Sequence, residues 1–386
     1  MASGFHNLAA VFSHRNYAIT SVGYGPALVG LWAQRIGVGW LAWNLTHSPT
    51  WLGLIAAADL VPTIILSPIA GAIIDRVHPL RMTLIGQTAT ALQSITLWLL
   101  TAFGVIDVYI LFGLAVLLGI NNPFTTSARM NILPLLVTPM DFPTAIAVNS
   151  MLFNLARILG PTFAGTLIAA SGVDIVFLLN GLAQVGFLVT NMMLRLPRTA
   201  AGARRSKGGL VSEVREGFVY AWHHPGIGPL LTLMVLTAVT SRPTVDMLPG
   251  FADRVFERGA QGLGWLGSAI GVGGVGGAIW LSQRGGIAGL TRVIVMNAFI
   301  VGAALVGFAL VQNFWVALAF LAVAGFSMVV SGAGTQTLLQ SSVDNALRGR
   351  VMALFSLLYR GMPAAGSLFM GMAAEVIGLE ATVATA

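Results

Sequence analysis

The chain has 386 residues, 56% hydrophobic and only 9% charged, with 20 Lys and Arg against 13 Asp and Glu and a net charge of +7. A soluble domain usually carries about 25% charged residues, so polar surface is too scarce to cover a water-exposed fold and the outside must face lipid. The lack of any Cys excludes disulfides, thiolate metal sites and Cys nucleophiles.

No basic region with a small-residue cleavage site opens the chain, so its first apolar segment is expected to stay in the mature protein. A bilayer core of about 30 Å needs about 20 apolar helical residues. Windows of that length predict spans over 17–44, 51–74, 82–103, 108–136, 143–170 and 174–195, then 227–249, 261–282, 291–311, 314–340 and 351–374. The apolar runs are continuous rather than alternating, which excludes barrel strands. The expected fold class is an all-α polytopic membrane protein. Residues 1–196 form an N-terminal six-helix bundle, 197–225 a linker with an amphipathic helix at 210–222, and 226–386 a C-terminal bundle.

The second span carries Asp59, the first Gln34 and Arg35. Matching depths let Asp59 and Arg35 pair. If Arg35 moves, the proton affinity of Asp59 changes with it, which is the chemistry that proton antiport needs; a static structural pair is the other reading. Between spans two and three stands Gly71-Ala72-Ile73-Ile74-Asp75-Arg76-Val77-His78-Pro79-Leu80-Arg81. Span four holds Asn121, Asn122 and Arg129, and span five Asn149, Asn154 and Arg157 followed by Gly160-Pro161-Thr162-Phe163-Ala164-Gly165. In span seven Arg242 and Asp246 stand at i, i+4, the spacing of an intrahelical ion pair. In span ten come Gln336 and Gln340, and in span eleven Arg360. Each membrane-embedded charge costs roughly 2.5–3.5 kcal/mol at the bilayer centre, so such residues face a cavity or one another. Arg129, Arg157 and Arg360, with Gln34, Asn121, Asn122, Asn149, Asn154, Gln336 and Gln340, can line a net-positive cavity suited to an anionic or catechol-like, aromatic substrate. The Arg side chains binding backbone carbonyls or lipid phosphates is the alternative.

Placing the N-terminus in the cytoplasm puts 13 Lys and Arg in inner segments, among them Arg15, Arg76, Arg81, Arg348 and Arg350, and only Arg254 and Arg258 outside. That asymmetry predicts the orientation in a bacterial-type inner membrane. It also removes nucleic acid as a partner, because the excess charge lies beside the membrane rather than on a basic domain. Span eight contains Gly271-Val272-Gly273-Gly274-Val275-Gly276, a letter-by-letter match to G-x-G-x-x-G. Inside an apolar helix, with no preceding strand, it reads as close helix packing rather than a nucleotide site. The six His are scattered, so no metal site is expected, and no cofactor.

The Gly71–Arg81 loop resembles the G-x-x-x-D-R-x-x-x-x-R loop of the major facilitator superfamily, and Gly160-Pro161 to Gly165 resembles the G-P-x-x-x-G element of its exporters. Asn122-Pro123-Phe124, Leu133-Pro134, Ala147-Val148-Asn149-Ser150, Leu248-Pro249-Gly250 and Leu347-Arg348-Gly349-Arg350 are similar to the siderophore-exporter-like (enterobactin-exporter-like) and multidrug-exporter-like branch. The resemblance implies two pseudo-symmetric bundles working by alternating access and a transporter, not an enzyme. It implies a cytoplasmic gate at Gly71, Asp75, Arg76, Arg81, Arg348 and Arg350, and a helix bend at Gly160, Pro161 and Gly165. The implied function is proton-driven antiport that exports small organic molecules, siderophore-like or drug-like, with protons and membrane lipids as the other partners and a monomer as the working unit. Uptake, lysophospholipid flipping and a non-transporting scaffold or sensor are the alternatives. The superfamily's usual twelfth span is expected to be truncated at Ala386.

Overall fold

The computed structural model describes residues 10–74, 77–195, 218–220, 222–343 and 347–386. Among them there is no strand, and eleven helices have twenty residues or more. In chain order these are α1 Arg15–Thr46, α2 Pro49–Ile74, α3 Pro79–Ala102, α4 Val108–Leu136, α5 Phe142–Ser171 and α6 Val173–Met192, then α7 Ile227–Gly250, α8 Gly259–Arg284, α9 Leu290–Leu310, α10 Phe314–Ser342 and α11 Arg348–Ile377. A short α12, Leu379–Thr385, follows. Eight of these helices are long and apolar enough to cross a membrane. The other three long ones, α1, α3 and α7, carry mid-helix amides or charges such as Gln34, Gln87, Gln93 and Arg242. Most of the amphipathic segment expected at 210–222 lies outside the described residues; Phe218–Tyr220 within it are helical.

Local chemistry sets the helix ends within a few residues of the apolar windows. Asp107 caps α4 by accepting from the Ile110 N–H at 2.7 Å, and the Asn313 side chain accepts from Trp315 and Val316 at the start of α10. Each satisfies donors that the first helical turn leaves over. Pro79 opens α3, where its missing N–H costs nothing. Gly104 and Gly172 break the chain at positive φ, 67° and 98°, a conformation that suits residues without a Cβ. At the end of α7 the chain continues through a π turn, Phe251–Val255, instead of the loop that a span ending at 249 predicts.

The helices sort into two compact units. One comprises Met1–Leu41 and Val61–Arg205, the other Ala42–Leu60 and Ser206–Ala386. Residues 42–60, the corner between α1 and α2, thus group with the C-terminal helices rather than with the N-terminal bundle they were expected to join.

In the first unit, α3 packs on α6 and on α4. The seam is held by buried amides. Gln34 donates to Gln93 at 3.0 Å, Asn180 donates to Gln34 at 2.7 Å and to Ser94 at 2.9 Å, and Gln184 donates to Asn180 at 3.0 Å. Gln87 donates to the Gln184 side chain. In the second unit, α10 packs on α8 and α9, and α7 on α11. The α8–α10 seam is closed by backbone contact: a Cβ on Gly273 would collide with the Ala322 carbonyl, one on Gly325 with the Ile270 carbonyl, and one on Gly277 would sit 2.6 Å from the Phe326 carbonyl. The glycine-rich run of span eight is therefore a packing surface. Phe251, Phe308, Phe256 and Phe314 meet in series through tilted and edge-to-face ring contacts, with centroids 4.7–6.0 Å apart.

Candidate functional site

The residues predicted to form a polar cavity have different surroundings. Gln34 is 1% exposed, and its side-chain amide both donates and accepts within the first unit's network. Asn121 donates to the Gly86 carbonyl and to the Thr90 hydroxyl, both at 2.8 Å, pinning α4 to α3. Asn154 donates to the Ser150 carbonyl one turn back on α5. Asn122 and Arg157 are half-buried on α4 and α5. Gly160 meets Trp32 and the Ala33 backbone of α1 so closely that it has no room for a Cβ, and Pro161 lies buried inside the same helix with Gly165 a turn further on.

Arg129 and Asn149 come together. Both line a cavity of about 20 Å³ in the first unit, with Tyr17, Thr20, Tyr24, Thr83 and Asn191. The Arg129 guanidinium lies over the Tyr24 ring, its Cζ 3.4 Å from the centroid, an arrangement that offsets part of the cost of keeping a cation out of water. Five helices, α1, α3, α4, α5 and α6, each contribute at least one polar group here.

In the second unit the Asp246 carboxylate accepts from the Ser367 hydroxyl at 2.8 Å, and Arg242 lies 5.7 Å from the Tyr359 ring centroid. Arg360 is exposed on α11, and Gln336 and Gln340 are exposed one turn apart on α10. Arg35, exposed on α1 with its Cζ 5.9 Å from the Trp32 ring centroid, falls in the first unit; half-buried Asp59 falls in the second.

The α1–α2 corner is held in the second unit by a polar clasp that the sequence reading missed. Glu375 accepts from the Ser48 hydroxyl at 2.6 Å and from the Thr50 hydroxyl and N–H at 3.2 and 3.4 Å. The Trp43 indole donates to Asp253 at 2.8 Å; Arg254 stacks on Trp43 at 5.1 Å and donates to the His47 carbonyl. Below this, a Cβ on Gly53 would strike the Ser367 carbonyl, so α2 and α11 cross in backbone contact. Glu375 lies one residue beyond the apolar window ending at 374. The amides Gln87, Gln93, Asn180 and Gln184 were missed because a search for charges passes over neutral groups. The helical spacing of Asn180 with Gln184, and of Gln87 with Ser94, was the available signal.

On the expected gate loop, Arg81 is exposed, and a Cβ at Gly71 would meet nothing within 4 Å among the described residues. Asp75, Arg76 and the Arg348 side chain lie outside the described residues; Arg350 is half-buried. Nearby in sequence to α5, Asp141 accepts from His14 at 2.7 Å and from the Thr138 hydroxyl at 2.8 Å. Those bonds, His14 first, hold its carboxyl below the usual carboxylate range.

Relatives share this architecture across most of their length. The chain is 25% identical to the staphyloferrin A transporter of Staphylococcus aureus over 92% of this chain and 88% of that one. It is 26% identical to the multidrug efflux pump Tap of Mycolicibacterium fortuitum over 94% and 93%, and 24% identical to the enterobactin exporter EntS of Escherichia coli over 90% and 80%. Among solved structures, the nucleoside transporter NupG matches with a TM-score of 0.73 at 11% identity, covering 96% of this chain and 95% of that one. A bacterial homologue of the iron transporter ferroportin in its inward-facing state matches at 0.70 and 15%, covering 96% and 95%; at such identity the likeness concerns the fold. The profile of the transmembrane secretion effector family matches residues 9–386, and the chain belongs to that family of multi-pass transporters in the major facilitator superfamily.

Proposed function

We propose that this protein exports small organic molecules, siderophore-like or drug-like, by proton antiport with alternating access. The observation that carries the reading is its similarity, over at least 80% of their length, to three transporters, of which one is named an efflux pump and one an exporter. We place it in a bacterial inner membrane with its N-terminus in the cytoplasm, as a monomer of two six-helix bundles, 1–196 and 226–386, joined by 197–225. Proton coupling is assigned to Asp59 with Arg35. Arg129, Arg157 and Arg360, with the amides of Asn122, Asn149, Asn154, Gln336 and Gln340, give a net-positive path that favours anionic or aromatic substrates. Gln34 and Asn121 act there through the helix packing that their hydrogen bonds hold. The loop Gly71–Arg81 with Arg348 and Arg350, and the hydrogen-bonded corner at 42–50, are the elements that open in turn. A clasp of hydrogen bonds suits this role because each bond can be exchanged for water.

Proteoliposomes with an imposed pH gradient test the reading. Substrate is expected to move against the proton flux, and Asp59→Asn is expected to uncouple the two while binding persists. Flux in the same direction as protons would assign uptake, and full gradient-driven transport by Asp59→Asn would remove the coupling role.

A further inference from the structure

Hydroxyls on the helices of this protein mostly follow one rule, from which four buried ones among the described residues depart: Thr20, Thr83, Ser327 and Ser331. On α3, Thr88, Thr90, Ser94 and Thr101 each donate to the carbonyl one turn back, at 2.7–3.0 Å. Thr162 and Thr166 on α5 do the same. Such back-bonding is the default for a hydroxyl in an apolar helix, since no other acceptor lies in reach. Thr83, also on α3 and 4% exposed, makes no hydrogen bond, and neither does the buried hydroxyl oxygen of Thr20 on α1. These two side chains, from different helices, line the same cavity, the one beside Arg129.

The size and lining of that cavity define what it takes. Its volume of about 20 Å³ exceeds the 10–15 Å³ or so that one water needs, and a single bound water asks for two to four polar partners. Thr20, Thr83, Arg129, Asn149 and Asn191 offer them. Among the described residues no acidic side chain lines it, although Arg129 brings a full positive charge, which lies 3.4 Å from the Tyr24 ring centroid. A cation held away from water favours a partner that brings negative charge.

We propose that this cavity is a binding site for one small lone-pair donor, a halide-sized anion or a water, which accepts hydrogen bonds from Thr20, Thr83 and Arg129 and thereby ties α1, α3 and α4 together. The charge of Arg129 favours the anion. The cavity shares Arg129 and Asn149 with the transport path proposed above, but its readout is the stability of the folded chain rather than flux, so the two readings fail separately.

Thermal unfolding of the full-length purified protein, in sodium chloride and in sodium gluconate at equal ionic strength, tests it. Thr83→Val and Thr20→Val keep the side-chain shape and remove the hydroxyl. Both are expected to unfold several degrees below the parent, and the double variant is expected to lose less than the sum, because the two hydroxyls share one ligand. Thr83→Ser is expected to unfold with the parent. If the ligand is an anion, chloride raises the parent's melting temperature over gluconate and Thr83→Val abolishes that rise; if it is water, the valine losses are the same in both salts. Valine variants as stable as the parent, or more so, overturn the proposal, because removing a hydroxyl that lacks a partner relieves a cost. If Thr83→Val does not fold, Thr83→Ser decides: folding at the parental temperature supports the hydroxyl's role, and failure alongside the valine variant assigns the loss to packing and overturns it.

Discussion

The α3–α6 seam of the first unit and the α8–α10 seam of the second join helices by opposite means. In the first, Gln34, Gln87, Gln93, Asn180 and Gln184 form a connected run of amides, each donating to or accepting from another. In the second, Gly273, Gly277 and Gly325 let backbone meet backbone. Within lipid the hydrophobic effect does not drive one helix onto another, so close packing and interhelical hydrogen bonds must do it. The amide seam fixes register, since a shift of one helix breaks several bonds at once. The glycine seam depends on distance alone and permits no added volume. Each seam should therefore fail in its own way.

The largest effect is expected at the glycine seam. Gly273→Leu forces a side chain into the Ala322 carbonyl and should cost about 3 kcal/mol or more, read as loss of monodisperse protein in detergent. A folded Gly273→Leu protein of parental stability would break the comparison. Next comes the amide seam. Gln184→Ala leaves Gln87 and Asn180 short of partners and should cost about 1–3 kcal/mol in thermal or denaturant unfolding. Gln87→Leu with Gln184→Leu should cost less than the two single changes together, because no partner is then left buried and unpaired. Additive losses would show that the amides act independently.

The clasp at the α1–α2 corner is expected to matter less than either seam. Glu375 is exposed, so water competes for its bonds, and Glu375→Ala should lower stability by only about 1 kcal/mol. The same change should alter transport more than stability if the corner opens during the cycle, which paired flux and unfolding measurements would separate. The smallest effect belongs to His14 and Asp141. A carboxylate held below its usual range contributes stability that is present above the unfolded-state value, about 3.9, and is lost as pH falls through the folded-state value. Stability from this pair should thus stay level from neutral pH down to the ordinary carboxylate range and decline only below it. Asp141→Asn should flatten that acid-side decline, and high salt should shrink it.

How much was readable beforehand follows from the range of each interaction. Helix positions came through within a few residues because span length is dictated by bilayer thickness, and caps such as Asp107 and Asn313 act within three residues. The Gly271–Gly276 run read as packing because an apolar helix cannot host a nucleotide loop, and Gly273 does press on α10. The amide network escaped notice because Gln and Asn barely perturb hydropathy, and the corner clasp because Trp43 and Asp253 are 210 residues apart.

By itself the sequence determined a lipid-facing helical chain, its family, and the places where helices begin and end, since these depend on composition and on contacts within one or two turns. Only the tertiary structure decided that Gln34 and Asn121 bond inside a unit, that residues 42–60 join the C-terminal helices, and that Thr20, Thr83 and Arg129 share one small cavity. Those outcomes depend on which helix faces rotate toward each other. Rotation is set by packing and hydrogen bonding between segments far apart in the chain, and hydrophobicity is nearly uniform around helices that are wrapped in lipid.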